Sequence, residues 1–331
     1  MKIAVHINDM DLFDKKWPDY LEKQGIDVIK VNLKHLDEFK KIKDCDGVMW
    51  HYMHSPLDKQ VAPKILSAIE EVYHIPVWPN YRTRWHFDEK VAQYYLFEAM
   101  DVPRINTWVF WNKEEALKFV NNSAHYPLVY KTSVGAGSSN VIKVDDKDTA
   151  RKMVIKMFDR GVYPYTMNEF KLMGNGLKKY LYKYNLLTPS YYQIQKEYIY
   201  FQEFIPNNQY DIRITVIGNR AFGFIRYNRE GDFRASGSGV IDTNPDNVPL
   251  EAVKESFKIS YNMQFQSMAY DYLLSCEGKP LINEMSYGYV DSAVHECPGY
   301  WDDKLIWHKG HMWPEEAQVQ DFISQIRTCK Y

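Results

Sequence analysis

The chain has 331 residues, 45% hydrophobic and 25% charged, with a formal net charge of −2. That is the profile of a soluble globular protein long enough for two or three domains and a sizeable core. With no long basic or acidic block, it argues against nucleic acid as the main partner. Cys45, Cys276, Cys297 and Cys329 show no CxxC spacing and no secretory context, so they read as reduced thiols without a disulfide frame or zinc site. The N-terminus lacks a cationic stretch leading into an apolar one, and no apolar run reaches the length of a membrane span, so a cytoplasmic location is expected.

Residues 1–80 alternate strand and helix. KIAVHI, DVIKVNL, GVMWHY and IPVWPN read as strands, WPDYLEKQG as a helix ending at Gly25, and PKILSAIEEVYH as a second helix. This rhythm predicts an α/β domain with a parallel sheet, whose ligands bind beyond the carboxyl ends of the strands, near Asn8, Asp9, His51 and His54. Polar loop residues beside a strand are common, so the two histidines read equally well without a ligand. No GxGxxG follows the first strand, which argues against a dinucleotide site.

HFDEKVAQYYLFEAM predicts a helix over 86–100, with Lys90 near its start. DVPRINTWVFW then gives a strand and KEEALKFVNN a helix. In YPLVYKTSVGAGSSNVIKV, two short strands flank a run of small residues from Gly135 to Ser139 that lets backbone N–H groups approach phosphate oxygens. It is not a Walker A loop, which ends in GK[ST] and enters a helix. Lys131 stands inside the apolar first strand, where its charge needs a partner. RKMVIKMFDRG reads as a helix. The Tyr- and Lys-rich stretch 162–196 reads as an insertion: a lid, an oligomer surface or an acceptor-binding arm.

IRITVI and AFGFI predict a hairpin around a Gly218-Asn219 turn. A two-residue turn sets Asp211 opposite Arg226 and Arg213 opposite Phe224, with Asp211 and Arg213 on one face. Arginines beside a carboxylate suit an anionic ligand, although a half-solvated hairpin carries such charges too. PLEAVKESFKISYNM reads as a helix, followed by SMAYDYLLSCEGKPLINEMS as a second hairpin. A turn centred on Glu277-Gly278 makes Asp271 face Glu284, with Ser286 on the same face. Facing carboxylates repel unless a divalent cation lies between them, and hard oxygens with open positions suit Mg²⁺ bound through substrate phosphates. The aromatic tail leads to a final helix; His308 and His311 lack a third ligand at helical spacing and read as packing or surface residues.

Taken in order, these segments resemble the ATP-grasp family, most closely its RimK-like carboxylate–amine ligases. Lys90 opens a helix, Lys131 precedes the small-residue flap, QEFI is followed by DIR, DFRAS follows the hairpin, and Asp271 precedes Glu284-x-Ser286. The likeness covers about residues 86–300. It implies an α/β (α+β) ATP-grasp fold with an N-terminal Rossmann-like pre-ATP-grasp domain over 1–85, a central subdomain over 86–200 and a C-terminal subdomain over 201–331.

By that resemblance Lys90 and Lys131 contact the nucleotide phosphates, and the loop holding Gly135, Gly137, Ser138 and Ser139 closes over them. Gln202, Glu203, Phe204 and Ile205 form the hinge at adenine, and Asp211 contacts ribose. Arg226 and Arg234 hold the transferred phosphate. Asp271 and Glu284, with Ser286, hold Mg²⁺ or in its place Mn²⁺. Two positions depart from the family pattern, since Ser236 and Ser286 stand where it usually has Asn; serine reaches less far, so a water completes the metal shell. The implied activity is ATP-dependent ligation through an acyl phosphate on small-molecule, peptide or glycan carboxylates and amines, in surface-polysaccharide or peptide modification. A homodimer stays open. A kinase using Asp9 or His51 as base, or a non-catalytic nucleotide-binding module, are the alternatives.

Overall fold

The computed structural model describes residues 1–8, 13–135, 141–162, 194–234 and 239–329. In β1 (Lys2–His6) every residue after Lys2 is buried, a continuous apolar run of the kind a strand covered on both faces requires. It sits inside a parallel sheet of order β2-β1-β3-β4 with β2 (Asp27–Val31), β3 (Gly47–Met49) and β4 (Val77–Trp78). The two expected helices are α1 (Phe13–Lys23) and α3 (Pro56–Val72); the short α2 (Leu36–Phe39) between them was not expected, and Trp17, Trp50 and Trp78 are fully buried around the sheet.

A four-residue helix, α4 (Tyr81–Arg84), precedes α5 (Lys90–Met100). The predicted helix over 86–100 therefore starts four residues late. Asp88 holds a left-handed φ of 49°, which an α-helix cannot contain.

The second sheet is antiparallel, of order β5-β8-β6-β7, from β5 (Thr107–Phe110), β6 (Leu128–Lys131), β7 (Ile142–Val144) and β8 (Ile199–Glu203). Two helices cover it, α6 (Lys113–Asn122) and α7 (Lys147–Asp159), each begun by a side-chain cap: Asn112 accepts from Glu115 N and Asp146 from Thr149 N. The predicted 162–196 insertion lies outside the described residues except at its ends, where Val162 pairs with Gln195.

The third sheet runs β13-β12-β9-β10-β14-β15, with β11 (Ile241–Asp242) added to β10. It is built from β9 (Tyr210–Ile217), β10 (Arg220–Tyr227), β12 (Ser267–Leu274), β13 (Pro280–Ser286), β14 (Gly299–Asp302) and β15 (Trp307–Lys309), with α8 (Leu250–Met263), α9 (Asp291–His295) and α10 (Pro314–Cys329). The first hairpin has the predicted register, with Asp211 opposite Arg226 and Arg213 opposite Phe224. Its turn needs glycine: Gly218 has φ +56°, and a Cβ there would lie 2.1 Å from Asp321 Oδ2, an oxygen held by Arg220.

The first and third sheets share one hydrophobic core, closed where α1 meets α10 and Trp17 Nε1 donates to Gln318 Oε1 at 2.9 Å. The second sheet has a core of its own. Gln93 of α5, 2% exposed, joins the two halves: its Nε2 donates to Met285 O at 2.8 Å and its Oε1 accepts from Met285 N at 3.2 Å. One side-chain amide thus continues the ladder of β13 and fixes α5 against it. Gln93→Leu strands the Met285 backbone groups, each at a cost of about 1–3 kcal/mol. Urea unfolding should show a lower midpoint with an unchanged m-value; a wild-type midpoint would contradict this role.

Candidate active site

A cavity of about 790 Å³ is lined by residues of all three sheets and their loops. Of the residues singled out in the sequence, Lys90, Lys131, Gly135, Gln202, Glu203, Phe204, Ile205, Asp211, Arg234, Asp271, Glu284 and Ser286 are on its wall. Arg226 is 8% exposed and stands behind that wall. Gly137, Ser138, Ser139, Ser236 and Asp9 lie outside the described residues. Arg213 is also on the wall, as are polar residues that the sequence reading did not single out, among them Asp88, Asn207, Asn208, Asn228, Asp232 and Asn283.

Strand alternation places four charges in one row across β10, β9 and β12. Arg226 is bidentate to Asp211 (2.7 and 2.6 Å) and reaches Asp271 Oδ2 at 2.9 Å, while Arg213 is bidentate to Asp271 (2.7 Å to Oδ1 and 2.6 Å to the same Oδ2). The order Asp211–Arg226–Asp271–Arg213 alternates in sign, and every member has a partner. Burial works to raise the Asp271 carboxyl, but the Arg213 and Arg226 guanidiniums outweigh it and hold it well below the usual range. Asp211, with one guanidinium, is pushed up by burial and by the Asp271 charge.

The two lysines differ in their partners. Lys90 Nζ donates to Gly135 O at 2.8 Å and stands 3.3 Å from Glu284 Oε1. Burial opposes its charge, yet the Glu284 and Asp88 carboxylates raise its pKa above the ordinary value. Lys131 Nζ donates to the neutral Asn283 Oδ1 at 2.9 Å. Burial, with Lys90 adding to it, outweighs the more distant Glu284 and Asp271 carboxylates and lowers this ammonium to about 8. A buried cation without a carboxylate of its own is poised for an anionic ligand.

Asn283 is reachable because of an irregularity. Asp271 faces Glu284 and Ala269 faces Ser286 as predicted, but from Tyr272 the partners shift by one, to Ile282. The loop is one residue longer than the predicted two-residue Glu277-Gly278 turn: Ser275 N donates to Lys279 O across three residues, with Gly278 at φ +77°. A bulge at Asn283 absorbs the difference, so Asn283 and Glu284 both reach the cavity.

Among the described residues no group of three or more His, Cys, Asp or Glu could hold a metal ion. The donors that are present, Asp271 and Glu284 facing across two strands, fit a hard ion that takes its remaining oxygens from substrate phosphates and water. Ser286 Oγ donates to Gly288 O (2.9 Å) and accepts from Gly288 N (3.0 Å), which leaves one lone pair for such a shell.

At the opposite end, Ile105, Val129, Phe204, Ile205, Leu273 and Met285 line an apolar slot beside the end of β8. There Gln202 Nε2 donates to Thr107 Oγ1 at 3.2 Å, and Glu203 Oε2 accepts from Asn106 Nδ2 at 2.7 Å. Arg234 pairs with Asp232 through Nε (2.9 Å) and Nη2 (2.6 Å) on the outer wall. His51 and His54, from the loop after β3, also line the cavity; His51 is 3% exposed and stacks on Phe13 at 4.2 Å. Away from the site, His308 pairs with Asp302 and His311 with the His295 carbonyl, the surface roles expected of them.

Residues 180–288 match the family model of the RimK-like ATP-grasp domain. Across the whole chain the fold is similar to that of a RimK domain ATP-grasp protein from Sphaerobacter thermophilus (15% identity, 98% of this chain and 100% of that one, TM-score 0.57). It is also similar to a RiPP-associated ATP-grasp ligase from Chryseobacterium gregarium in complex with ADP and a leader and core peptide (14% identity, 98% and 97%, TM-score 0.58). A third likeness is to D-alanine–D-alanine ligase from Bacillus anthracis (13% identity, 100% of both chains, TM-score 0.59). No curated protein sequence matches significantly.

The Lys131 environment has a measurable consequence. Its ammonium titrates near the ordinary 10.5 in the unfolded chain and at about 8 in the folded one. Between those values the unfolded state binds more protons, so stability rises with pH; below 8 both states are charged and this slope vanishes. Lys131→Met should therefore be more stable than wild type at pH 7, with the gap closing from pH 8 upward in paired urea melts. A gap that widens with pH would contradict the assignment.

Proposed function

Because the chain has the ATP-grasp fold and carries a RimK-like ATP-grasp domain, we propose that it is an ATP-dependent ligase joining a carboxylate to an amine. The observation that carries this reading is one cavity running from an apolar slot at Gln202–Ile205 to two buried lysines and two facing carboxylates. A planar base fits the slot, and Lys90 and Lys131 meet the phosphates beyond it. Mg²⁺ held by Asp271 and Glu284 would neutralise phosphate charge.

The acid's carboxylate attacks the terminal phosphorus, ADP leaves, and an acyl phosphate forms. The amine then attacks the acyl carbon and phosphate departs. Lys131 supplies a buried charge whose hydrogen-bond partner is a neutral amide, so it is available to stabilise negative charge on the phosphates. Arg234 faces the cavity and meets the transferred group directly. Arg226 acts from behind by fixing Asp211 and Asp271. No side-chain nucleophile is needed. The peptide and D-alanine substrates named for two of the similar structures make peptides and amino acids the first acids to examine.

The test is hydroxamate formation with ATP, Mg²⁺ and hydroxylamine across amino acids, peptides and sugar acids. ATP-dependent hydroxamate is expected from one of them, since hydroxylamine traps the acyl phosphate. Lys131→Ala and Glu284→Ala should each reduce it by about 10²-fold or more while remaining folded by circular dichroism. A phosphorylated alcohol with no hydroxamate would contradict the ligase reading and favour a kinase. Wild-type rates in either folded variant would sink the site assignment.

A further inference from the structure

The reaction proposed above consumes an amine that is protonated at neutral pH, and an alkylammonium with a pKa of about 10.4 is no nucleophile until it loses a proton. Among the described nucleotide-side residues the lysines and arginines are donors, Asp211 and Asp271 are held by guanidiniums, and Glu284 stands 3.3 Å from the Lys90 ammonium. The wall on the first-sheet side offers a different group.

His54 lines the cavity with its ring against Phe87 at 4.9 Å. Phe87 in turn packs on Gly288, where a Cβ would fall 2.9 Å from Phe87 Cε2, just past the β13 end that carries Glu284 and Ser286. The imidazole is therefore placed by a single packed ring beside the phosphate end of the cavity. Its Nδ1 is buried without a hydrogen-bond partner, and the nearest acceptor is Asp88 Oδ2 at 3.5 Å. Nε2 is not among the buried unpartnered atoms, and the side chain is 35% exposed.

Asp88 is fixed from several sides. Lys59 Nζ donates to its Oδ2 at 3.1 Å and to its carbonyl at 2.8 Å, and Gly135 N donates to its Oδ1 at 3.2 Å. Burial opposes the Asp88 charge, but His54, Lys59 and Lys90 outweigh it and keep the carboxyl well below the usual range. Its left-handed φ of 49° is a conformation that costs free energy and that this anchoring maintains. A permanent anion facing Nδ1 favours the tautomer with the proton on Nδ1, which leaves the Nε2 lone pair open.

We propose that His54 is the base that accepts the amine's proton at Nε2, with Asp88 as the residue that positions it. This rests on the ligase reading. As the amine lone pair attacks the acyl carbon, the C–N bond forms and the C–O bond to phosphate breaks with its electron pair on phosphate. The ammonium's first proton passes to Nε2, which frees the lone pair for this attack, and the second proton lost from nitrogen leaves with the phosphate. The charged groups bearing on the ring are Asp88 and, through it, Lys59 and Lys90. The Asp88–Nδ1 contact of 3.5 Å shortens when the imidazolium forms.

Two measurements test this. In protein labelled with ¹⁵N-histidine, the His54 signals, identified by their loss in His54→Gln, should report the neutral Nδ1–H tautomer above the imidazole pKa. An Nε2–H tautomer would overturn the assignment without reference to any substrate. The second measurement takes the acid that yields hydroxamate and compares hydroxylamine, largely unprotonated at pH 7, with methylamine. In His54→Gln the ratio of methylamide to hydroxamate rates should fall by about 10²-fold at pH 7. It should recover as pH approaches the amine's own pKa. An unchanged ratio, including an equal loss of both products, overturns the role of His54 and leaves the ligase reading standing; no hydroxamate from wild type removes both.

Discussion

The site depends on how a buried carboxylate is kept charged. Asp271 sits on a central strand opposite Glu284, a pairing that is unfavourable by itself. It is tolerated because Arg213 and Arg226 grip Asp271 from two neighbouring strands and Lys90 stands 3.3 Å from Glu284. Each of these groups is placed by strand or helix geometry, so the charges are preorganised by the backbone. Removing one partner would leave an uncompensated buried charge, which costs far more than the net gain of the pair.

This arrangement explains why the chain needs three sheets for one cavity. The third sheet supplies the alternating charges, and the second supplies Lys131 and, together with Leu273 and Met285 of the third, the apolar slot. The first brings histidines to the far end, from the carboxyl side of its strands, where a parallel sheet leaves its loops available. Gln93 keeps the second unit in register with β13 and so sets where Lys90 meets Glu284. Lys131 is left as the cation whose described partner is a neutral amide.

Much of this was legible in the sequence where local rules act alone. The Gly218-Asn219 turn admits one register, and period-two alternation then places Asp211, Arg213 and Arg226. The same logic was right about Asp271 and Glu284 for an incomplete reason: the loop is one residue longer than its sequence suggested, and the Asn283 bulge restores the pairing at the carboxylates. Asn283 itself was invisible because alternation assigns it to the opposite face. The late start of α5 follows from the backbone conformation of Asp88, which helical periodicity does not report. The withdrawal of Arg226 behind the wall depends on three strands at once, so no single hairpin could show it.

The central claim is that the Asp271–Glu284 pair and the two buried lysines form one phosphate and metal site. A crystal structure with ADP and Mn²⁺, read by anomalous scattering from manganese, tests it most directly. The account predicts a manganese peak between Asp271 and Glu284, with Lys90 and Lys131 on the ADP phosphates and the Arg213–Asp271 pair loosened. Nucleotide bound with its phosphates away from both lysines, or manganese bound without either carboxylate, would contradict it.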